Sequence, residues 1–243
     1  SLWSLSALEP ATRTLKIDSD LLIFPVADRS KLKGNQAEFS FGLIEVWVGE
    51  QLIHRCHVVH PLDVEKARFW AFLDLREIKG KEATLKLKMS RDCKMNAKDV
   101  SLILNRMENS NEMRHTMPIY KEPGRPQFHF SQIQGWSNDP NGMFYEDGLY
   151  HISWQCNPSE VYFGGWYWGH AVSKDLVHWQ EAPRTLRPNG RKSTNRYPGM
   201  ADGKCYSGGS AIDHNNTLGV QEGDQKTIIA MYKVSISRLF ADP

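Results

Sequence analysis

The stretch WSNDPNGMF, residues 136–144, decides how this sequence is interpreted. Asp139 precedes a proline, which favours extended backbone, and Asn141-Gly142 is a pair that tolerates positive φ. Taken alone, the segment is typical of a tight hairpin turn. The same residues would also suit a loop that presents the Asp139 carboxylate. The motifs around the stretch decide between these two interpretations.

Three further motifs follow this stretch in order: QCNP at 155–158, WGHA at 168–171 with Asp175 and Trp179 behind it, and YSGGSA at 206–211. Together the four resemble the W-M-N-D-P-N-G, Q-Y-N-P, W-G-H-A-x-S-x-D-L-x-x-W and F-S-G-S-A motifs of glycoside hydrolase family 32. That family comprises the β-fructofuranosidases, which include invertases, inulinases and levanases. Because four motifs agree in order and approximate spacing, coincidence is a poor explanation.

The resemblance implies a five-bladed β-propeller and retaining hydrolysis of terminal fructosyl units. In this mechanism one carboxylate attacks the anomeric carbon, and a second carboxyl group about 5 Å away protonates the leaving oxygen. Asp139 takes the position of the nucleophile. The resemblance implies that the substrate is bound by Asn138 and Gln155, through hydrogen bonds, and by Trp136, Phe163, Trp168 and Ser207, which shape the pocket; Trp166 is the alternative to Phe163 as the sugar-stacking residue.

The sequence departs from the family pattern at Ser137, at Cys156 and at an extra glycine within 206–210. The family's R-D-P and E-C motifs, which carry a stabilising Asp and the general acid/base Glu, normally lie well beyond residue 232. Asp242 in the closing FADP is interpreted as a chance match, and the pattern gives neither Glu160 nor Glu181 the acid role. We therefore expect a partial catalytic domain that belongs to a longer enzyme.

The sequence predicts an all-β fold. Short apolar or alternating segments predict strands at 21–26, 44–48, 51–59, 68–75, 84–89 and 100–104, and in the second half at 142–145, 148–154, 170–173, 210–213 and 227–232. We expect an N-terminal β-sandwich-like accessory domain over 1–118. The first part of the propeller, about two blades, would follow over 119–243. The polar, proline-containing segment 107–127 is interpreted as the connection between them.

No cluster of residues implies a metal or an organic cofactor. His54, His57 and His60 are three residues apart, a spacing that does not place them on one face of a strand, and it favours surface or strand-edge histidines. The four cysteines, Cys56, Cys93, Cys156 and Cys205, form no C-x-x-C pair, which favours buried free thiols and leaves one or two disulfides open.

The charge balance limits the range of partners. Charged residues make up 24% of the chain, the formal net charge is +2, and no basic run is long enough to follow a nucleic acid backbone. No apolar stretch reaches the ~20 residues that cross a bilayer. The chain begins with Ser, which leaves a removed export signal open, and an exported protein is favoured over a cytoplasmic one. Open propeller edges would permit self-association.

Residues 136–179 contain five of the eight tryptophans in the chain, more than a single sheet core usually needs. Three functions fit this half of the sequence. The first is a fructan- or sucrose-cleaving glycosidase. The second is a non-catalytic carbohydrate-binding protein, and the third is a related propeller glycosidase that acts on arabinan or xylan.

Overall fold

A computed structural model describes residues 9–27, 39–61, 66–89, 95–114, 120–159, 161, 167–187 and 205–233. Over these residues the chain is built mainly of antiparallel strands, which form two sheets in the N-terminal half and two in the C-terminal half. The all-β prediction is confirmed. The predicted division between residues 118 and 119 remains a prediction.

The N-terminal half forms a two-sheet sandwich. One sheet has the order β1-β6-β3-β4 and the other has the order β5-β2-β7. The strands are β1 (Ala11–Lys16), β2 (Leu21–Val26), β3 (Phe39–Val48), β4 (Gln51–Pro61), β5 (Phe69–Asp74), β6 (Glu82–Met89) and β7 (Glu108–Ser110). Strands β1 and β7 were not predicted from the sequence.

The sandwich core follows from the period-two pattern of its strands. Along β6, Ala83, Leu85, Leu87 and Met89 are buried, while the residues between them are more exposed. These side chains join one continuous apolar cluster with residues of β2, β3 and β5. Full burial of a Leu, Ile or Val side chain contributes roughly 1.5–3 kcal/mol, so this cluster is the main stabilising feature of the sandwich.

The prediction of a strand at 100–104 is wrong, because this segment lies in the helix α1 (Ala97–Asn105). Asn96 caps its first turn by accepting a hydrogen bond from the Asp99 amide, and Asp99 accepts one in return from the Asn96 amide. Val100, Ile103 and Leu104 are buried. Their i, i+3, i+4 spacing is the pattern of an amphipathic helix, which the short apolar run concealed.

The C-terminal half contains a four-stranded antiparallel sheet with the order β11-β10-β9-β8 and a separate two-stranded sheet, β12-β13. The strands are β8 (Trp136–Glu146), β9 (Leu149–Asn157), β10 (Tyr167–Ser173), β11 (Trp179–Leu186), β12 (Gly208–Asp213) and β13 (Thr227–Tyr232). The first sheet is a complete up-and-down blade, and the second supplies two strands of another blade. Strand β11 was not predicted from the sequence.

The blade has two distinct faces. In the β9-β10 register Trp168 pairs with Gln155, and Tyr167 pairs with Cys156. Because side chains alternate along a strand, Gln155 and Trp168 lie on one face, which we call the site face, and Cys156 and Tyr167 lie on the other, the sandwich face. The site face lies toward β12 and β13, and the sandwich face lies toward the N-terminal sandwich.

Side chains of the blade hydrogen-bond to the backbone of the sandwich. Tyr167 donates to the Arg55 carbonyl at 2.6 Å, and Ser159 donates to the His57 carbonyl at 2.7 Å. Gln134 donates to the Trp70 carbonyl at 2.8 Å. Tyr167 and Ser159 are almost fully buried, so these contacts fix the sandwich against one face of the blade.

The prediction of surface or strand-edge histidines is wrong for two of the three, since His54 and His60 are buried in β4. They are six residues apart and so share the inward face of the strand, while His57 faces the opposite way. The prediction of buried thiols is confirmed for Cys56, Cys156 and Cys205, which are buried and form no disulfide with one another. Cys93 lies outside the described residues.

Candidate active site

The NDPNG segment is not a hairpin turn; it lies within the eleven-residue strand β8. The strand leaves its regular register with β9 between Ser137 and Pro140, and again between Asn141 and Phe144. Asn138 and Asp139 therefore lie in a bulge, where they do not pair with β9. Pro140 is tolerated because β8 is an edge strand of the sheet, where a missing N–H costs little.

Asp139 is exposed, and one of its carboxylate oxygens is held by a serine from another sheet. The Ser207 hydroxyl, just before β12, donates to Oδ2 of Asp139. The amide of Gln155 in turn donates to the Ser207 oxygen at 3.0 Å. Gln155 is buried on the site face, so a rigid residue of β9 orients the serine that orients the carboxylate.

Trp168 supports the same group from β10. It is 1% exposed, and its indole N–H donates to the Tyr206 carbonyl at 3.0 Å. Its ring also lies against Tyr232 of β13, with the ring centroids 5.8 Å apart. Trp168 therefore fixes the backbone beside Ser207 and acts here as a wall of the site, not as an exposed stacking surface.

Asn141 also belongs to this candidate site, although it was not among the site residues predicted from the sequence. It is buried, and its side-chain oxygen accepts a hydrogen bond from the Gly208 amide at 3.1 Å, which links β8 to β12. The next residue, Gly142, has a φ of +48°, and a Cβ there would lie 2.5 Å from the Ser210 hydroxyl. A polar residue inside the quoted stretch, followed by glycine, was the available signal.

The structure brings together Asp139, Gln155, Trp168 and Ser207 of the predicted site. Asn138 is exposed next to Asp139, and Trp136 is partly buried at the start of β8, where it pairs with Asn157. Phe163 and Trp166, the two candidates for the sugar-stacking residue, lie outside the described residues. The choice between them is therefore still a prediction.

Glu181 does not serve as the second carboxylate beside Asp139. It lies in β11, at the opposite edge of the sheet, and pairs with Ala171, which places it on the sandwich face. With about 4.8 Å between neighbouring strands, the two edge strands are roughly 14 Å apart, well beyond the ~5 Å of a retaining pair. Glu160 and Asp242 lie outside the described residues.

Within the described part of the chain, no group of three or more His, Cys, Asp or Glu side chains could hold a metal ion. None of the helices described there is long and apolar enough to cross a membrane. The groups described around the Asp139 carboxylate are the Ser207 hydroxyl, the amides of Gln155 and Asn141 and the Trp168 indole.

A carboxylate presented from a bulged edge strand among amide, hydroxyl and aromatic groups is the type of site found in carbohydrate-active proteins. Comparison with protein families agrees. Residues 129–238 match the model of the glycosyl hydrolases family 32 N-terminal domain. The match confirms, over this part of the chain, the resemblance to family 32 fructofuranosidases drawn from the motifs.

Individual relatives match the same half of the chain. Levanase from Bacillus subtilis is 42% identical over 113 residues, which are 46% of this chain and 15% of the relative. The extracellular exo-inulinase from Aspergillus awamori is 41% identical over 115 residues, 46% of this chain and 20% of the relative. The crystal structure of exo-inulinase from Aspergillus awamori has 38% identity and a TM-score of 0.40, covering 46% of this chain and 20% of that one. The chain thus spans a fifth or less of the length of these relatives.

Proposed function

We propose that the intact protein is a retaining glycosidase that cleaves terminal β-fructofuranosyl units from fructans or sucrose. The observation that carries this proposal is the Gln155–Ser207–Asp139 chain of hydrogen bonds on the site face. It holds one oxygen of an exposed carboxylate and leaves the other without a partner among the described residues. The family match over the same residues supports the substrate class.

In this reaction the free oxygen of Asp139 attacks the anomeric carbon of the fructosyl unit and forms an ester bond. The bond to the leaving oxygen breaks at the same time, and that oxygen takes a proton from a second carboxylic acid. Water then attacks the anomeric carbon, gives its proton back to the same second group, and releases Asp139 as a carboxylate. None of the residues of the site face described above takes the part of this second group.

The neighbours of Asp139 have distinct parts in this proposal. Ser207 fixes the carboxylate rotamer, so that the attacking oxygen keeps its direction. Asn138, next to Asp139 in the bulge, supplies an amide to the sugar hydroxyls. Gln155 donates to Ser207 through its NH₂ group, so its carbonyl oxygen is the atom that can accept a hydrogen bond from the sugar. Trp168 and Trp136 limit the width of the pocket.

The test of this proposal is hydrolysis of levan, inulin and sucrose by the intact protein and by its Asp139→Asn variant. Loss of the nucleophile should lower the rate by several orders of magnitude. Asp147→Asn is the matched control, since Asp147 is an exposed carboxylate in the β8-β9 turn and should leave the rate unchanged. Hydrolysis at the parent rate by Asp139→Asn would refute the assignment.

Product stereochemistry separates fructosidase chemistry from that of an inverting arabinan- or xylan-directed relative. Proton NMR of the first product formed should show retained anomeric configuration. An inverted product would indicate that a water molecule, not Asp139, attacks the sugar, with carboxyl groups about 6.5–9.5 Å apart.

A second function, carbohydrate binding without turnover, is favoured for the described site by one observation. Glu181, the carboxyl group with a raised pKa near the motifs, lies on the wrong face to serve as the acid. Binding of a fructan without release of reducing sugar would support this function. Release of fructose by the same sample would exclude it.

We also infer export, since the exo-inulinases among the relatives are named as extracellular enzymes. The division into an accessory sandwich and a catalytic domain near residue 118 is part of the same proposal, as is self-association through the free edges of the blades. Separate expression of residues 1–118 would test the division, because an independent domain should unfold cooperatively by itself.

A further inference from the structure

A cavity of about 220 Å³ lies between the N-terminal sandwich and the sandwich face of the blade. Its walls include Phe72 and Asp74 from the sandwich and Trp154, Glu181 and Arg184 from the blade. Asp139 and the residues that hold it lie on the site face, the other face of the same sheet. The cavity is therefore a separate space, and nothing in the proposed hydrolysis uses it.

Most charges at the rim of the cavity are already paired. Asp74 forms a bidentate ion pair with Arg76, and Asp20 pairs with Lys79 at 2.7 Å. Arg184 forms no ion pair with any described residue. Its guanidinium lies over the Phe72 ring at 5.1 Å and near the Tyr167 ring at 5.6 Å, and it shares a hydrogen bond with the Cys156 thiol. A guanidinium has five N–H donors, so others remain for a ligand.

Glu181 supplies an acceptor to the same cavity. One of its oxygens accepts a hydrogen bond from the Ile133 amide, and the other has no hydrogen-bond partner among the described residues. Burial raises the pKa of the Glu181 carboxyl, although the Ile133 amide and the charge of Arg184 oppose the shift. A buried carboxyl with one unused oxygen facing a cleft is the kind of group that ligands satisfy.

Gln132 carries a third unused polar group. The side chain is 8% exposed, and its oxygen accepts the Trp154 indole N–H at 2.7 Å. Its NH₂ group is buried and has no partner among the described residues. A buried donor without a partner costs roughly 1–3 kcal/mol, which a ligand that reaches it would recover.

Three groups with hydrogen-bonding capacity to spare face the cavity beside aromatic walls: the Arg184 cation, a Glu181 carboxyl oxygen and the neutral Gln132 amide. Since the charges of Glu181 and Arg184 are opposite, they favour neither an anion nor a cation as ligand. They match a neutral molecule whose adjacent hydroxyl groups both donate and accept. The volume lies below the ~300–1,000 Å³ of sites for larger ligands, which suits a single sugar ring.

We propose that the cavity between the sandwich and the blade binds one sugar unit through Glu181, Arg184 and Gln132. The accessory sandwich thereby forms half of a second carbohydrate subsite, away from Asp139. Binding at the two sites can be followed separately, because each site has its own hydrogen-bonded indole. Trp154 is bonded to Gln132 at the cavity, and Trp168 is bonded to Tyr206 at the site face.

The test is a titration of the 243-residue chain, labelled with ¹⁵N at tryptophan, with fructose as the probe. The Trp154 indole signal, assigned with Trp154→Phe, should shift in a saturable way. Arg184→Met should weaken this response at least tenfold. Asp139→Asn should leave it unchanged, because Asp139 lies on the other face of the sheet.

Glu181→Gln is the second variant, because it keeps an oxygen to accept the Ile133 amide and so preserves the fold while it removes the carboxylate. It should also weaken the Trp154 response at least tenfold. A response that survives in both variants, or a Trp154 signal that does not move while the Trp168 signal does, would overturn the proposal. An equal response to glycine or inorganic phosphate would overturn the ligand class. The proposed hydrolysis is tested by a separate result: it is refuted if the Asp139→Asn enzyme keeps full activity.

Discussion

Tyr167 and Trp168 are consecutive residues of β10, and they attach the blade to two different parts of the chain. The Tyr167 hydroxyl donates to the Arg55 carbonyl of the sandwich at 2.6 Å, and the Trp168 indole donates to the Tyr206 carbonyl beside Ser207 at 3.0 Å. Both side chains are 1% exposed. A shift of β10 against the sandwich would therefore also move the backbone next to Ser207, the serine that holds the Asp139 carboxylate.

Tyr167→Phe should destabilise the chain by about 1–3 kcal/mol, because it leaves the Arg55 carbonyl without this donor in a buried position. Urea denaturation measures the change. Tyr150→Phe is the control: the Tyr150 ring is partly exposed and its hydroxyl has no hydrogen bond with a described residue, so the change should stay within about 0.5 kcal/mol. Equal losses in the two variants would show that the Tyr167 contact does not stabilise the fold.

Gly142→Ala should be more harmful than Gly148→Ala. Both glycines have positive φ, +48° and +77°, so alanine would strain the backbone by a similar amount, roughly 1–2 kcal/mol, at either position. At Gly142 the new Cβ would also lie 2.5 Å from the Ser210 hydroxyl and 3.0 Å from the Trp168 ring, whereas at Gly148 nothing lies within 4 Å. Thermal unfolding of both variants isolates the steric part. A Gly148→Ala variant as unstable as Gly142→Ala would contradict this account.

The motif that pointed to the family also shows the limit of sequence reasoning. Asn-Asp-Pro-Asn-Gly has the composition of a turn, and local propensity cannot tell a turn from a bulge inside a long strand. The outcome depends on β9, which pairs with Ser137 and with Pro140 but not with the residues between them. Asp139 could be found from the sequence, but its bulge could not.

Other features depended equally on distant contacts. The helix α1 could have been predicted from the Asn96 and Asp99 capping box, which is a local signal. The inward position of His60 in β4 and the cavity around Glu181 could not, because they arise from how two sheets and two halves of the chain pack. The site residues that the structure brings together all belong to conspicuous motifs, and so does Asn141, but its link to β12 appears only in the structure.

Glu45→Gln should destabilise the sandwich by roughly 3–5 kcal/mol. Glu45 is fully buried, with Arg55 at 2.6 Å and Lys88 at 2.9 Å. Burial raises the pKa of this carboxyl, but the hydrogen bond from Lys88 and the charge of Arg55 outweigh burial and lower it overall, which shows that both cations favour the carboxylate. Chemical denaturation near neutral pH measures the loss.

Glu108→Gln is the matched control for Glu45→Gln. Glu108 pairs with Arg114 at 2.8 Å, but both side chains are about half exposed, so water replaces the pair at little cost. The expected change is below about 1 kcal/mol. If Glu108→Gln lowered the free energy of unfolding as much as Glu45→Gln, burial would not determine how much these ion pairs stabilise the fold.

The stability of the chain should fall as the pH drops below about 6.5, because two histidines are buried in the neutral form. Burial lowers the pKa of His60 to about 3 and, together with the charge of Arg187, that of His54 to about 4. The unfolded chain takes up protons at its ordinary pKa near 6.5, while the folded chain does not. The unfolded state therefore gains stability from pH 6.5 downwards, about 2 kcal/mol for each histidine by pH 5.

His60→Leu tests this acid dependence, since leucine removes the titrating group and keeps an apolar side chain against Phe24. Its free energy of unfolding, measured in urea at pH 7 and pH 5, should fall by about 2 kcal/mol less than that of the parent chain. His214→Gln, at an exposed position in the loop after β12, should leave the parent difference intact. A pH dependence identical in His60→Leu and the parent would show that His60 accepts its proton without unfolding the sandwich.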